Sequence, residues 1–475
     1  MAPSPPNRLT ALREGSLVPL LLSFSWPAIV SMSLNMLYNV VDRIYIGQGC
    51  GADAIAGLAL TFPVMLVVGA VGPLIGVGSS TEISIQLGRK AYREAERTLG
   101  QMVALKLLFG LLAPFVLYFL VLDPAFALMG ADKMTPESVR LGRLYCGLVL
   151  PFMLTQHLAF GLSGTIRAEG APVRSMRCMV IGCVANLVLD PILIFGCHLG
   201  VAGAAWATNL AMVLSCLDAL SYYFREGPVL RIRACRLRLY ADLAPRVLAI
   251  GMAPFLMEVS LSCVTFAMNR AFALWSPTPR LVTSQIAAFS IWLVSGNIFF
   301  TPLMGIQQGL APILGYNWGA KAYDRIRAIL RLGFWLTSAL CVGISVAQVL
   351  LAHPLAWCFA RSDPLLVEHG ARAISVGNCC VWIIGINVLA TTYFQSIGRP
   401  ATAIVLSLLR QVFCLIPCAF LLPYLFPEDP VLGIWLAMPL SDVLTALATA
   451  PTWYHEMRVL ARRAAATNSA AAPPV

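Results

Sequence analysis

LGRKAYREAERTL at residues 87–99 and WGAKAYDRIRAIL at residues 318–330 are two copies of one polar loop, each closing a long apolar run. The offset between them, 231 residues, also carries Ile55 and Ala56 onto Ile286 and Ala287. At an offset of 227, Pro27 falls on Pro254 and Arg43 on Arg270; the turn holding SPTPR at 276–280 takes up the four extra residues. Later in each half, Gly170 and Pro172 fall on Gly398 and Pro400, and GVAG at 200–203 falls on PVLG at 430–433. Chance likeness between apolar helices produces matched Leu and Val, but not a matched GxKAY loop. The chain is a tandem repeat.

What is repeated follows from composition. Of 475 residues, 59% are hydrophobic and 12% charged, with a mean hydropathy of +0.79, against roughly 25% charged residues in soluble domains. Apolar runs of spanning length lie near 17–47, 53–82, 94–122, 137–165, 172–196 and 201–223, then 245–275, 281–314, 323–352, 368–396, 401–426 and 431–455. The fold class is therefore an all-α polytopic membrane protein of twelve transmembrane helices in two pseudo-symmetric six-helix lobes. Six is even, so both copies enter the membrane the same way round. Such parallel repeats place a substrate cavity between bundles. The expected divisions are an N-terminal lobe at 1–224, a basic cytoplasmic linker at 225–244, a C-terminal lobe at 245–456 and a cytoplasmic tail at 457–475.

Charge sets the orientation. With both termini cytoplasmic, 24 of the 33 Lys and Arg residues fall on the inside, Arg410 counted among them, while the outer turns near 48–52, 197–200 and 427–430 carry none. The net charge of +11 is thus topology and not a nucleic-acid surface. Fourteen cysteines and five histidines are scattered without metal-ligand spacing, so neither a metal site nor a cofactor is expected. No cleavable signal peptide is evident, and no Walker lysine follows the glycines of GAVGPLIGVG at 69–78. Without a nucleotide site, transport would be secondary. No cluster of nucleophile, acid and base suggests an enzyme.

Two acids interrupt the apolar runs. Asp190 stands in NLVLDPILI at 186–194 and Asp42 in LYNVVDRIYIGQG at 37–49. A charge at the centre of a membrane helix costs roughly 2.5–3.5 kcal/mol on insertion scales, and such residues usually line a polar path. At 1.5 Å per residue Asp42, Asp190, Tyr145 and Thr208 all lie on the order of 8–12 Å below the outer surface, with Asn186 one turn from Asp190. Two acids, an amide, a phenol and a hydroxyl at one depth suit a proton or a hard cation. The second copy has Asn269, Cys414 and Cys418 at the places of Asp42, Asn186 and Asp190, so the coupling site is expected in the first lobe. Met32, Met36, Phe62, Met65, Trp292, Phe299 and Met304 are candidates for an adaptable apolar cavity, and also for plain packing. Asp218 and Asp442 are expected to pair with arginines or to lie near an interface.

LYNVVDRIYIGQG, AIAGL (54–58), GTIRAEGAP (164–172), NLVLDPILIFG and GVAGAAWAT together resemble the multidrug and toxic compound extrusion family, in its MepA-like branch. The resemblance covers nearly the whole chain. It implies two six-helix lobes around a cavity, and export of amphiphilic, often cationic compounds in exchange for protons or sodium. It places the protein in the bacterial cytoplasmic (inner) membrane as a monomer. It also implies functional roles for Asp42, Tyr145, Asn186, Asp190 and Thr208, a bend of the first helix at Pro27, and substrate contact for Glu258, which matches an acid used by another branch. The alternative within transport is a flippase for lipids or lipid-linked saccharides, which would need basic residues in the cavity.

Overall fold

The structure is a computed structural model that describes residues 5–128, 131–225, 227–361 and 363–471. Every regular element among them is helical. A short helix, α1 (Pro5–Glu14), precedes α2 (Leu17–Cys50), α3 (Ala52–Gly88), α4 (Tyr92–Ala127), α5 (Pro136–Ala168), α6 (Pro172–Gly196) and α7 (Val201–Arg225). Next come α8 (Ala244–Trp275), α9 (Pro279–Gly319), α10 (Tyr323–Leu350) and the short α11 (Ala352–Ala360). The chain ends in α12 (Pro364–Ile383, then Gly385–Ser396 after a 58° bend), α13 (Pro400–Leu425) and α14 (Pro430–Ala471). Among the described residues, 11 helices are long and apolar enough to cross a membrane singly, and the bent pair makes twelve. The chain packs as two compact units, Met1–Glu258 and Val259–Val475.

The outer faces are apolar. On α4, Phe115, Phe119 and Leu120 are each at least 65% exposed, a surface suited to lipid rather than water. Inward, α3 packs on α5, α2 on α6, and α6 on α7.

The repeat is written into the backbone. After α3, Arg89, Lys90 and Ala91 donate their N–H groups to the carbonyls of Ile85, Leu87 and Gln86; after α9, Ala320, Lys321 and Ala322 donate to Tyr316, Trp318 and Asn317. The closures are identical at the offset of 231. Each turns on a lysine in the left-handed region, φ 61° at Lys90 and 57° at Lys321, which few residues with a side chain adopt. The GTIRAEGAP corner does the same with glycine: Gly170 and Ala171 donate to Arg167 and Ile166, and Gly398 and Arg399 to Gln395 and Phe394.

One register assignment changes. A π-helical segment, Leu409–Leu415, inserts a residue into α13. Before it, exposed Val173 and Arg177 answer to exposed Ala401 and Val405; after it, exposed Val184 and Val188 answer to Phe413 and Pro417. Buried Asn186 and Asp190 therefore correspond to buried Leu415 and Ala419, not to Cys414 and Cys418. Several helices also outrun their apolar stretches: α3 reaches Gly88, α9 Gly319 and α14 Ala471. Hydropathy marks where a helix meets hydrocarbon, whereas capping decides where it stops. Helix α2 runs without a break through Pro27, where Ser31 Oγ donates to the Pro27 carbonyl at 3.0 Å.

The basic linker and the first turn of α8 are held within the first unit by three acids. Glu169 Oε2 accepts the Val229 N–H at 2.8 Å and the Tyr222 hydroxyl at 3.1 Å. Glu96 holds Arg236 and accepts the Arg231 N–H at 3.3 Å, and Glu82 pairs with Arg246 at 2.9 Å. Burial pushes the Glu169 carboxyl up to about 7, although three donors reach it.

Candidate functional site

The first unit holds a cavity of about 880 Å³, within the range of small-molecule sites. Its wall includes Met32, Met65, Tyr145, Asn186, Thr208 and Asp42. Helix geometry gathers them: Tyr38 and Asp42 share one face of α2, and Asn186 and Asp190 one face of α6, each pair four residues apart. Directly after Asp190, Pro191 supplies no N–H for the Leu187 carbonyl, and a π-helical segment, Ile192–Gly196, begins.

Asp190 lies behind the wall, 0% exposed. Its Oδ1 accepts from Asn186 Nδ2 at 3.3 Å, and the same amide reaches Thr208 Oγ1 at 3.4 Å. The Asp42 carboxyl faces that of Asp190, and Tyr145 stands near Thr208. All five polar residues grouped by depth in the sequence are thus in one contact network.

The network is short of donors. Asp42 Oδ1, Asp190 Oδ2 and Asn186 Oδ1 are buried and meet none among the described residues. Two carboxyl oxygens brought together are satisfied when a proton lies between them or a hard cation bridges them, and carboxylate and amide oxygens are suitable ligands for either. The residues present therefore fit a coupling proton or sodium ion.

Glu258 lines the same cavity. Met36 is half-buried on α2 and contributes no wall, and the side chain of Phe62 lies outside the described residues. The remaining apolar candidates belong to the second unit. Trp292 stacks on Phe289 at 5.6 Å, Phe299 packs against the cluster around Ile344, Val381 and Ile384, and Met304 is exposed. Packing accounts for the first two. Asp218 pairs with Arg174 and Arg177. Asp442 pairs with Arg410, which lies ten residues into α13 and not in a cytoplasmic loop.

Sequence reasoning missed several wall residues, Tyr38, Gln156 and His157 among them, and a lysine behind them. Lys106 in α4 is 1% exposed; its Nζ donates to the carbonyls of Gly72, at 3.3 Å, and His157, and lies 5.9 Å from the Phe160 ring centroid. Gly161 makes room for its stem, because a Cβ there would stand 2.4 Å from Lys106 Cε. No carboxylate pairs with Lys106 among the described residues. A lone base inside an apolar run was the available signal.

The MatE family model matches residues 27–192 and 258–421, one copy in each half of the chain. The multidrug export protein MepA of Staphylococcus aureus (strain N315) is 26% identical over 435 residues, covering 90% of this chain and 91% of the relative. MepA of Staphylococcus haemolyticus (strain JCSC1435) is 25% identical over 449 residues, covering 93% and 94%. Among solved structures, a MATE in the bent conformation superposes with a TM-score of 0.86 at 22% identity, covering 96% of this chain and 99% of the other. A MOP superfamily transporter from Pyrococcus furiosus gives 0.86 at 22% identity, covering 95% and 98%. With the family model matched twice, across both six-helix sets, the chain belongs to the MatE family of multi-pass membrane transporters.

Proposed function

We propose that this transporter exports amphiphilic, cationic compounds across a bacterial cytoplasmic membrane in exchange for protons or sodium, with Asp42 and Asp190 as the exchange pair. One observation carries the reading: two carboxyls face each other at a cavity wall, and three buried oxygens around them have no donor among the described residues. The names of the MepA relatives, multidrug export proteins, agree with it.

When the pair is ionised, its charge and that of Glu258 attract a cation into a wall otherwise rich in Met and apolar side chains. When Asp42 and Asp190 share a proton or hold a sodium ion, that attraction falls and the organic cation is released. Asn186, through its amide, holds Asp190 and Thr208 in place in both states. A ligand shifts the inward and outward populations only through its differential affinity for them, and gain or loss of a buried charge supplies that difference. Both termini and the linker would face the cytoplasm. A flippase for a pyrophosphate-linked lipid fits less well, because the wall offers Asp42 and Glu258 against one arginine, Arg43.

The test is uptake of a fluorescent lipophilic cation into vesicles carrying the full-length protein, under an imposed pH or sodium gradient. Gradient-driven accumulation is expected. Accumulation indifferent to both gradients would overturn the assignment.

A further inference from the structure

The second unit holds a buried carboxylate that the exchange scheme does not use. Asp442 lies twelve residues into α14 and Arg410 ten into α13, so both sit on the order of 15–18 Å along their helices, near mid-span. Arg410 Nε donates to Asp442 Oδ1 at 2.7 Å, with the Asp442 side chain 0% exposed and that of Arg410 26%. The second oxygen, Asp442 Oδ2, meets no donor among the described residues. The other titratable side chains near the pair are Cys341 on α10 and Cys380 on α12. Beside Arg410, Gln411 accepts from Ser260 of α8.

The repeat says what stands at these places in the first unit. The offset of 230 that carries GVAG onto PVLG brings Asp442 onto Met212, and Arg410, at the start of the segment where the offset passes from 228 to 229, falls at Gly182 by the first and Ile181 by the second. Burial supports the α14 alignment: buried Gly203, Ala204, Ala205 and Ala207 answer to buried Gly433, Ile434, Trp435 and Ala437. Gly182 and Met212 both line the first-unit cavity. Arg410 also sits in the inserted π-helical segment of α13, a feature often found at functional positions. Where one copy has a small residue and a thioether beside open space, the other has a buried ion pair.

We propose that Arg410 is a tethered counter-cation. It permanently neutralises Asp442, where the first unit has Gly182 and Met212 at the wall of its cavity, and so keeps the second unit out of ion exchange and confines cation recognition to the first. A carboxylate in low dielectric needs a proton, a mobile cation or a fixed one. A guanidinium stays charged throughout the working pH range and cannot leave. The proposal rests on Asp42 and Asp190 being the exchange pair, and its test separates the two assignments.

The experiment counts protons taken up per molecule when the full-length protein in vesicles is stepped from about pH 8 to about pH 5.5. Arg410→Met, which strips Asp442 of its cation, is expected to take up one proton more than the unaltered protein. Arg410→Lys, and the neutral double variant Arg410→Met with Asp442→Leu, are expected to match the unaltered count. The extra proton should persist when Asp42→Asn is added to Arg410→Met. If Asp42→Asn alone leaves the count unchanged, the exchange-pair assignment fails while the Arg410 comparison still stands. No extra proton in Arg410→Met overturns the tethered-cation proposal. Should that single variant fail to fold, the double variant decides. Wild-type count and ion-driven transport support the proposal, since burying an apolar pair leaves the net charge unchanged. An altered count, lost exchange or failure to assemble overturns it.

Discussion

If Asp42 and Asp190 are the exchange pair, their contact sets a stoichiometry. On the proposed scheme, two carboxyls facing each other with no protein donor between them among the described residues would share one proton, so each cycle would exchange one proton for one organic monovalent cation and move no net charge. One pH unit is worth about 1.4 kcal/mol, a factor of ten in an equilibrium ratio. An imposed difference of about 1.5 pH units should then sustain an accumulation ratio of roughly 30. Were both carboxyls to load and unload a proton, the same difference would give roughly 1,000. The assay is the steady-state ratio of a fluorescent monovalent cation across vesicles as a function of the pH step, with the membrane potential clamped. A slope of one decade per pH unit is expected, or one decade per decade of sodium if sodium is the partner. In Asp42→Asn and Asp190→Asn the slope should fall to zero while the proteins still fold, since asparagine keeps the volume and one oxygen. A slope of two, or a slope of one surviving in both variants, would refute the shared-ion scheme.

Four further outcomes are expected. Glu258→Gln should raise the half-saturating concentration for doubly charged substrates about tenfold, as loss of one ionic contact of about 1.4 kcal/mol would, and leave the pH slope at one; a changed slope would move Glu258 into the coupling machinery. Glu169 is held near 7 when folded and titrates near 4.5 when unfolded, so its stabilising contribution is complete below about 4.5 and disappears as pH rises to about 7. Glu169→Gln, which keeps an acceptor for the Val229 N–H, should therefore lose less thermal stability than the unaltered protein over that window, by on the order of 3 kcal/mol; parallel curves would contradict this. A Cβ at Gly251 would stand 1.6 Å from the Leu74 carbonyl oxygen, so Gly251→Ala should cost about 1–3 kcal/mol by overpacking, read as a lower midpoint of thermal unfolding. Cys235 in the linker and Cys197 beyond α6 are both exposed, and in single-cysteine variants an impermeant maleimide on intact cells should label Cys197 and spare Cys235.

What could be read from the chain beforehand divides along physical lines. The twelve spans and the duplicated loops were legible because hydropathy and matched polar residues survive in one dimension. The five-residue network was legible because an acid in hydrocarbon is conspicuous and depth is a simple count along a helix. Lys106 was equally conspicuous, but its partners are backbone carbonyls, which have no sequence signature. Arg410 was assigned to the cytoplasmic side although it stands inside the apolar run 401–426; the charge count weighed it by its sign and not by its depth, and its partner Asp442 is remote in sequence. The one-residue shift in α13 was hidden for a related reason: a π-helical insertion leaves composition unchanged and alters only which side of the helix each residue occupies.

The two lysines that close α3 and α9 in the left-handed conformation have a consequence for the lipid. Each costs about 1–2 kcal/mol relative to glycine in the same turn, and each is exposed. An anionic leaflet returns about 1 kcal/mol for a lysine held at its surface. If both loops lie against an anionic leaflet, as the proposed topology has them, the two quantities are of similar size and opposite sign, and the bilayer would decide whether these corners are at ease. In membranes rich in acidic headgroups both should be firmly closed; in zwitterionic lipid the same corners become the points where α3 and α9 fray first. Lipid charge would then act on both copies of the repeat at once.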